Sequence, residues 1–286
     1  MPVPRGTEAA PNESSLVMLL TGAGSGIGRH LTGALSSRGH RVLATDVNVV
    51  ALAQAAKADR WSEASVQQAA LDIRVPAQWE AAKARALQAF GRVDVLLNVA
   101  GYLKPGHSWE VEAVEIDRHF DINVKGLMHG TRVVGAHFVA QRSGHIINIG
   151  SLASLAPVPG LCLYSASKFA VRGFSLATAL ELRPHNVFVT VMLPDAVKTP
   201  MLDLQVDFHE AALTFSGARP LTVEDIEHVL VNDVLPNKPL EVAMPFTRGA
   251  VARLADLMPG VAAKLIPLLS KKGLKAQEAM KKERNP

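Results

Sequence analysis

Residues 16–28 read LVMLLTGAGSGIG, five apolar residues that run straight into a glycine-rich turn. A continuous apolar run without polar alternation is the pattern of a strand buried on both faces, as in a parallel sheet. Gly22, Gly26 and Gly28 allow the turn to approach a bound group closely, and a helix starting behind them offers that group its free N–H donors. Strand, glycine turn and helix in this order form the setting in which such a turn holds the pyrophosphate of a dinucleotide.

The pattern repeats outward from this stretch. RVLATD (41–46), VDVLLN (93–98), HIINIG (145–150) and VFVTVML (187–193) are further apolar runs, separated by stretches of helical length such as 76–90, 109–142 and 165–183. Alternation of this kind predicts a single doubly wound α/β domain of Rossmann type, with a parallel sheet of about seven strands covered by helices on both faces. That domain is expected over 16–260, with a substrate loop at about 195–220 where the rhythm breaks. A Pro-rich, polar and frayed start (1–15) and a basic tail (261–286) flank it.

Composition narrows the function classes. The single cysteine, Cys162, excludes an intramolecular disulfide and a cysteine-rich zinc site, and it reads as a small, half-buried filler. The ten histidines are scattered without ligand spacing, so no metal site is expected. The start lacks an apolar signal-peptide core and no apolar stretch approaches membrane-spanning length, which points to a soluble, cytoplasmic protein. Net charge is +4, but residues 264–286 carry seven Lys/Arg against Glu278 and Glu283. The tail is therefore +5 and the remainder −1, with nothing resembling a nucleic-acid-binding surface.

Asp46 closes the second apolar run, twenty-two residues beyond Gly24. A carboxylate there accepts hydrogen bonds from ribose hydroxyls and repels a 2′-phosphate, and neither Ser25 nor Val47 supplies an offsetting cation. NAD is favoured over NADP. In YSASK (164–168), Tyr164 and Lys168 stand one helical turn apart, with β-carbons about 5–6 Å from each other. An ammonium at that distance favours a phenolate, lowering a phenol pKa that starts near ~10. The pentapeptide alone favours a helix that carries one aromatic and one solvated cation, unless the rest of the chain supplies a cofactor and a polar partner.

Taken together these features resemble the short-chain dehydrogenase/reductase family. The matching residues are TGAGSGIG (21–28), Asp46, LDI (71–73), NVAG (98–101), Asn123, Ser151, the Tyr164–Lys168 pair and PDAVKTP (194–200), in the family's order over residues 16–247. The resemblance implies an NAD-dependent hydride transfer with Tyr164 as general acid/base. Lys168 would lower its pKa and hold the nicotinamide ribose, Ser151 would bind the substrate oxygen, and Asn123 would hold a water relaying protons from Lys168 to solvent. Cofactor contacts would come from Gly22, Ser25, Gly26, Ile27, Gly28 and Asp46. Asp72 and Ile73 would serve the adenine, Asn98, Ala100 and Gly101 the adenosine side, and Pro194, Val197 and Thr199 the nicotinamide.

Two positions depart from the family pattern. Val99 stands where a second Asn is common, a place tied to sheet support. Asp195 follows Pro194 where Gly is usual, and its carboxylate is expected to turn outward to solvent, since an unpaired buried charge is costly, with a polar contact to the substrate as the alternative. Apolar residues on both sides of the site, Leu155, Pro157, Val158, Leu161 and Leu163, then Met201, Leu202, Leu204, Val206 and Phe208, point to a lipophilic secondary alcohol or ketone. An oxoacyl-thioester reductase of the same family is the alternative, and a non-catalytic NAD-binding scaffold a third. The two long helical stretches predict a homodimer or homotetramer. The tail is expected to pack its apolar cluster over the pocket or a neighbouring subunit; membrane-surface binding is the less favoured reading, since Pro267 and Gly273 weaken a continuous helix.

Overall fold

The computed structural model describes residues 15–284, so the frayed start expected at 1–15 lies outside the described residues apart from Ser15. Seven parallel strands form one sheet in the order β3-β2-β1-β4-β5-β6-β7. They are β1 (Val17–Thr21), β2 (Arg41–Asp46), β3 (Val66–Ala70), β4 (Val95–Asn98), β5 (Gly144–Ile149), β6 (Val187–Pro194) and β7 (Glu241–Met244). The order reverses between β1 and β4, which opens a crevice at the carboxyl ends of the strands.

Alternate residues of β1 explain why the sheet is covered twice. Met18 and Leu20 point into one core with Leu31 and Leu35 of α1 (Gly26–Ser37) and Ile226 of α8 (Val223–Val229). Val17 and Leu19 point into the other core, with Trp79, Ala82 and Ala86 of α3 (Pro76–Phe90) and Val133, Val134 and Phe138 of α5 (Leu127–Gln141). Every residue of β1 is buried, so an apolar run without alternation was required. The edge strands differ. β3 reads VQQAA and is half-buried over Gln67, Gln68 and Ala69, a composition that hides it from a search for apolar runs.

The stretch 109–142 becomes α4 (Ala113–His119), a π-helical turn (Phe120–Gly126) and α5 in one continuous rod. The Tyr–Lys stretch becomes α6 (Cys162–Leu182), and the loop after β6 contains α7 (Pro200–Asp203) and a 3₁₀ segment (His209–Ser216). Two helices end the chain, α10 (Phe246–Leu257) and α11 (Pro259–Arg284). The tail is a continuous helix through Pro267 and Gly273, the two residues that weaken one. Pro267 lies on its exposed side, where solvent can satisfy the carbonyl that proline leaves unbonded, and Gly273 lies against Ala212 with no room for a side chain.

Candidate active site

The β1–α1 turn is built around its glycines. Gly22 and Gly26 adopt positive φ of 76° and 50°, and a β-carbon on Gly28 would stand 2.1 Å from the Gly22 carbonyl oxygen. Thr21 anchors the turn to the neighbouring loop by accepting hydrogen bonds from Val99 N (3.0 Å) and Ala100 N (3.1 Å). At the end of β2, Asp46 accepts hydrogen bonds from Gly24 N (2.9 Å) and Asn48 N (2.8 Å). Those donors fix the carboxylate on the cavity wall beside exposed Val47 and leave each oxygen a further lone pair.

A cavity of about 1020 Å³ runs from this turn across the carboxyl ends of the strands. It brings together Gly22, Ser25, Gly26, Ile27, Gly28, Asp46, Asp72, Ile73, Ala100, Gly101, Ser151, Tyr164, Lys168, Pro194, Val197 and Thr199. Asn98 does not line it. Asn98 pairs in register with Asn148, and its amide donates to the Asn148 side chain (2.9 Å), which donates in turn to Ser175 on α6 (2.8 Å). The side chain expected on the adenosine side instead ties β4, β5 and α6 together beneath the site. Asp72 is on the wall but is clamped by Arg74, whose guanidinium holds the carboxyl below its usual pKa.

Ser151 caps a short 3₁₀ turn after β5, accepting from Ala153 N (3.1 Å), and its hydroxyl is near enough to Tyr164 to pull the phenol's pKa down. The first turn of α6 carries Tyr164 into the cavity. Lys168, one turn on, is buried and donates from Nζ to the Ile149 carbonyl (2.8 Å), with Nζ 5.5 Å from the Tyr164 ring centre. Burial pushes the Tyr164 phenol up to about 12, against the pull of Ser151, and pushes Lys168 down to about 8. Desolvation outweighs the Ser151 hydroxyl at the phenol, and the same desolvation drives Lys168 towards neutrality.

Asn123 sits in the π-helical turn, buried and off the cavity wall. It accepts from Tyr102 N (2.7 Å) and donates to Tyr102 O and Ser167 Oγ (both 2.9 Å). Both amide N–H groups are thus committed to protein. Its place is nonetheless close to the chemistry. A β-carbon on Gly101 would lie 3.4 Å from Asn123 Oδ1 and 3.9 Å from Lys168 Nζ.

Asp195 overturns its expectation. Its side chain is 13% exposed and turned inward, with Oδ2 2.5 Å from Arg248 Nε on α10. Burial raises its carboxyl pKa, while Arg248 and the Ala196 N–H act in the opposite sense. The carboxylate tolerates the interior because a cation fifty-three residues downstream meets it. Arg248 was not found in sequence, and its only signal was the unmet charge at 195. Tyr102 was missed as well; it lines the cavity, and its phenol donates to Glu115 at 2.6 Å. Of the apolar residues expected around the substrate, Pro157, Val158, Leu161, Met201 and Leu202 line the cavity. Leu155 and Val206 pack behind it and Leu204 is exposed, while Leu265, Ile266 and Leu269 of α11 join the wall.

Residues 16–208 match the family described as short chain dehydrogenase. The chain belongs to that family. Among short chain dehydrogenases it is 35% identical over 222 residues to a 3-alpha-(or 20-beta)-hydroxysteroid dehydrogenase of Mycobacterium bovis, covering 76% of this chain and 82% of the relative. It is 32% identical over 224 residues to a cyclopentanol dehydrogenase of Comamonas, covering 76% and 90%. A short chain dehydrogenase/reductase of Burkholderia phymatum, solved in complex with NAD, superposes with a TM-score of 0.77 at 27% identity, over 87% of this chain and 95% of that one.

Proposed function

We propose that the protein is an NAD(H)-dependent oxidoreductase that interconverts a lipophilic secondary alcohol and its ketone. The observation that carries this reading is one cavity holding the glycine turn, Asp46, Ser151, Tyr164 and Lys168 between largely apolar walls. Relatives named for hydroxysteroid and cyclopentanol oxidation support the same class of substrate. The residues fit the cofactor. The turn's closely packed glycines leave its backbone free to face a pyrophosphate, and Asp46 presents acceptors suited to a ribose diol. With no cation bonded to Asp46 among the described residues and exposed Val47 beside it, a 2′-phosphate meets uncompensated negative charge.

The nicotinamide, when bound, supplies the site for hydride acceptance or donation. The protein's own residues manage the proton and the position of the oxygen. Ser151, held by Ala153 N, presents its hydroxyl beside Tyr164, so both converge on the oxygen of a bound alcohol or ketone. Tyr164 carries its proton at rest, as its high pKa requires, and is ready to protonate a ketone oxygen. In the oxidative direction its phenol must lose that proton, and a nearby cationic Lys168 favours the phenolate electrostatically. The buried Asn98–Asn148–Ser175 chain holds α6, and hence both side chains, at a fixed height over the sheet.

The test is turnover by the purified protein over steroids, cyclic and aliphatic alcohols and ketones, and oxoacyl thioesters, with NAD(H) and NADP(H) in parallel. Activity with NAD(H) on the lipophilic alcohols or ketones is expected. Turnover confined to acyl thioesters, or stronger with NADP(H), overturns the reading.

A further inference from the structure

Nineteen large hydrophobic residues are exposed among the described residues, and nine of them fall within residues 246–269 of α10 and α11. Such concentration in a short stretch is not the scattered exposure of an ordinary surface. On α11, Val261, Leu265 and Leu268 follow each other at helical spacing on one outward stripe. Leu257, 79% exposed, and Met258 continue that apolar surface across the turn from α10.

The opposite side of α11 is already spoken for. A β-carbon on Gly273 would stand 1.9 Å from the Ala212 carbonyl oxygen, and Gln277 donates to the carbonyls of Gln205 and Phe208, both at 2.8 Å. Ala276 and Met280 pack against the cluster formed by Leu202, Val206 and Phe215. The helix is thus seated on the body, and its outer stripe has no partner among the described residues.

The charge around the stripe indicates what covers it. Between 259 and 277 there are four lysines, Lys264, Lys271, Lys272 and Lys275, and no aspartate or glutamate. All four lysines are exposed. On α11, apolar side chains flanked by lysines, with no carboxylate between them, complement an interface of anionic headgroups over acyl chains, and exposed Asp256 on α10 is the carboxylate beside the patch. Val251, Leu265 and Leu269 are both exposed and part of the cavity wall, so the apolar surface runs into the mouth of the active site.

We propose that the outer face of α10 and α11 docks on an anionic lipid bilayer, with the cavity mouth turned towards the membrane. Among the described residues no helix is long and apolar enough to cross a membrane, so the contact is peripheral. The proposal stands without the substrate reading. It adds that an apolar molecule dissolved in the bilayer reaches the cavity without entering bulk water.

The test uses the full chain in co-sedimentation with phosphatidylcholine vesicles, with and without phosphatidylserine, at low and high salt. Wild-type protein is expected to pellet with the phosphatidylserine vesicles and to be released by salt. The double variant Leu257→Glu/Leu268→Glu, altered only at exposed positions, should stay in the supernatant. Lys271→Gln/Lys272→Gln should weaken binding by roughly thirtyfold, the loss expected for two surface lysines. Wild-type protein that ignores phosphatidylserine vesicles overturns the proposal, as does unchanged binding by the leucine variant. Self-association that the leucine substitutions abolish, without vesicle binding, assigns the face to a second copy of the chain and also overturns it.

Discussion

Replacing Arg248 with methionine leaves the Asp195 carboxylate in an interior that it occupies only because a cation meets it. Removing one partner of a buried ion pair costs about 3–5 kcal/mol. Arg248 is about one-third exposed, so part of the pair's attraction is already screened, and the expected loss falls to roughly 2–3 kcal/mol. The pH dependence separates this cause from lost packing. Burial holds the Asp195 carboxyl above its usual pKa even with Arg248 present, and loss of the cation raises it further. A group whose folded pKa is raised binds its proton more readily in the native state, so the native state gains stability as pH falls. The loss in Arg248→Met should therefore be greatest near pH 8 and shrink towards pH 5, as the stranded carboxylate takes up a proton. Asp195→Gly/Arg248→Met, with no buried charge left, should recover much of it. Urea unfolding followed by tryptophan fluorescence at the two pH values measures all of this. A loss equal at both pH values, or a double variant no more stable than Arg248→Met, refutes the account.

Tyr164→Phe should retain NADH binding while turnover falls by about 10²–10⁴-fold, as removal of a positioned general acid predicts; titration and steady-state rates check both. Asp46→Ala/Val47→Arg should move cofactor preference towards NADPH, read as the ratio of kcat/KM for the two cofactors. Lys168 contributes a stability penalty below its folded pKa of about 8, and this disappears as pH rises towards the ordinary lysine value. The Tm of Lys168→Met relative to wild type should accordingly be more favourable at pH 7 than at pH 10, and a difference that does not change with pH contradicts that assignment. The exposed Leu180 on α6 is consistent with pairing between copies, and sedimentation at micromolar concentration should give a dimer or tetramer rather than one chain.

What could be read in the sequence was what is local. The strand at 17–21 and the turn behind it are set by neighbouring residues, since an unbroken apolar run and closely packed glycines have few other uses. The boundaries of α3 were legible for a similar reason, with Pro76 at its first position and Gly91 closing it in the left-handed region. β3 and β7 gave no such signal, because edge strands are covered on fewer sides and carry Gln and Glu. Asn98 misled because the motif places it beside the cofactor loop while its side chain follows the parity of β4 into the core. The inward turn of Asp195 depended on a cation on another helix, and the continuity of α11 on contacts with residues 209–216. Neither has a counterpart in local spacing.

The seating of Gly273 against Ala212 also bears on how this enzyme's selectivity could change over generations. Ser151, Tyr164 and Lys168 stand on β5, its following turn and α6, secured by bonds that lie within the first 180 residues. Part of the cavity roof comes from a helix that begins some ninety residues after Lys168 and grips the body through a glycine contact and a few side chains. Chemistry and admission are thus inherited on separate lengths of chain. A lineage can lengthen, reshape or exchange that helix to admit a different molecule, and the residues proposed to move the proton are left undisturbed.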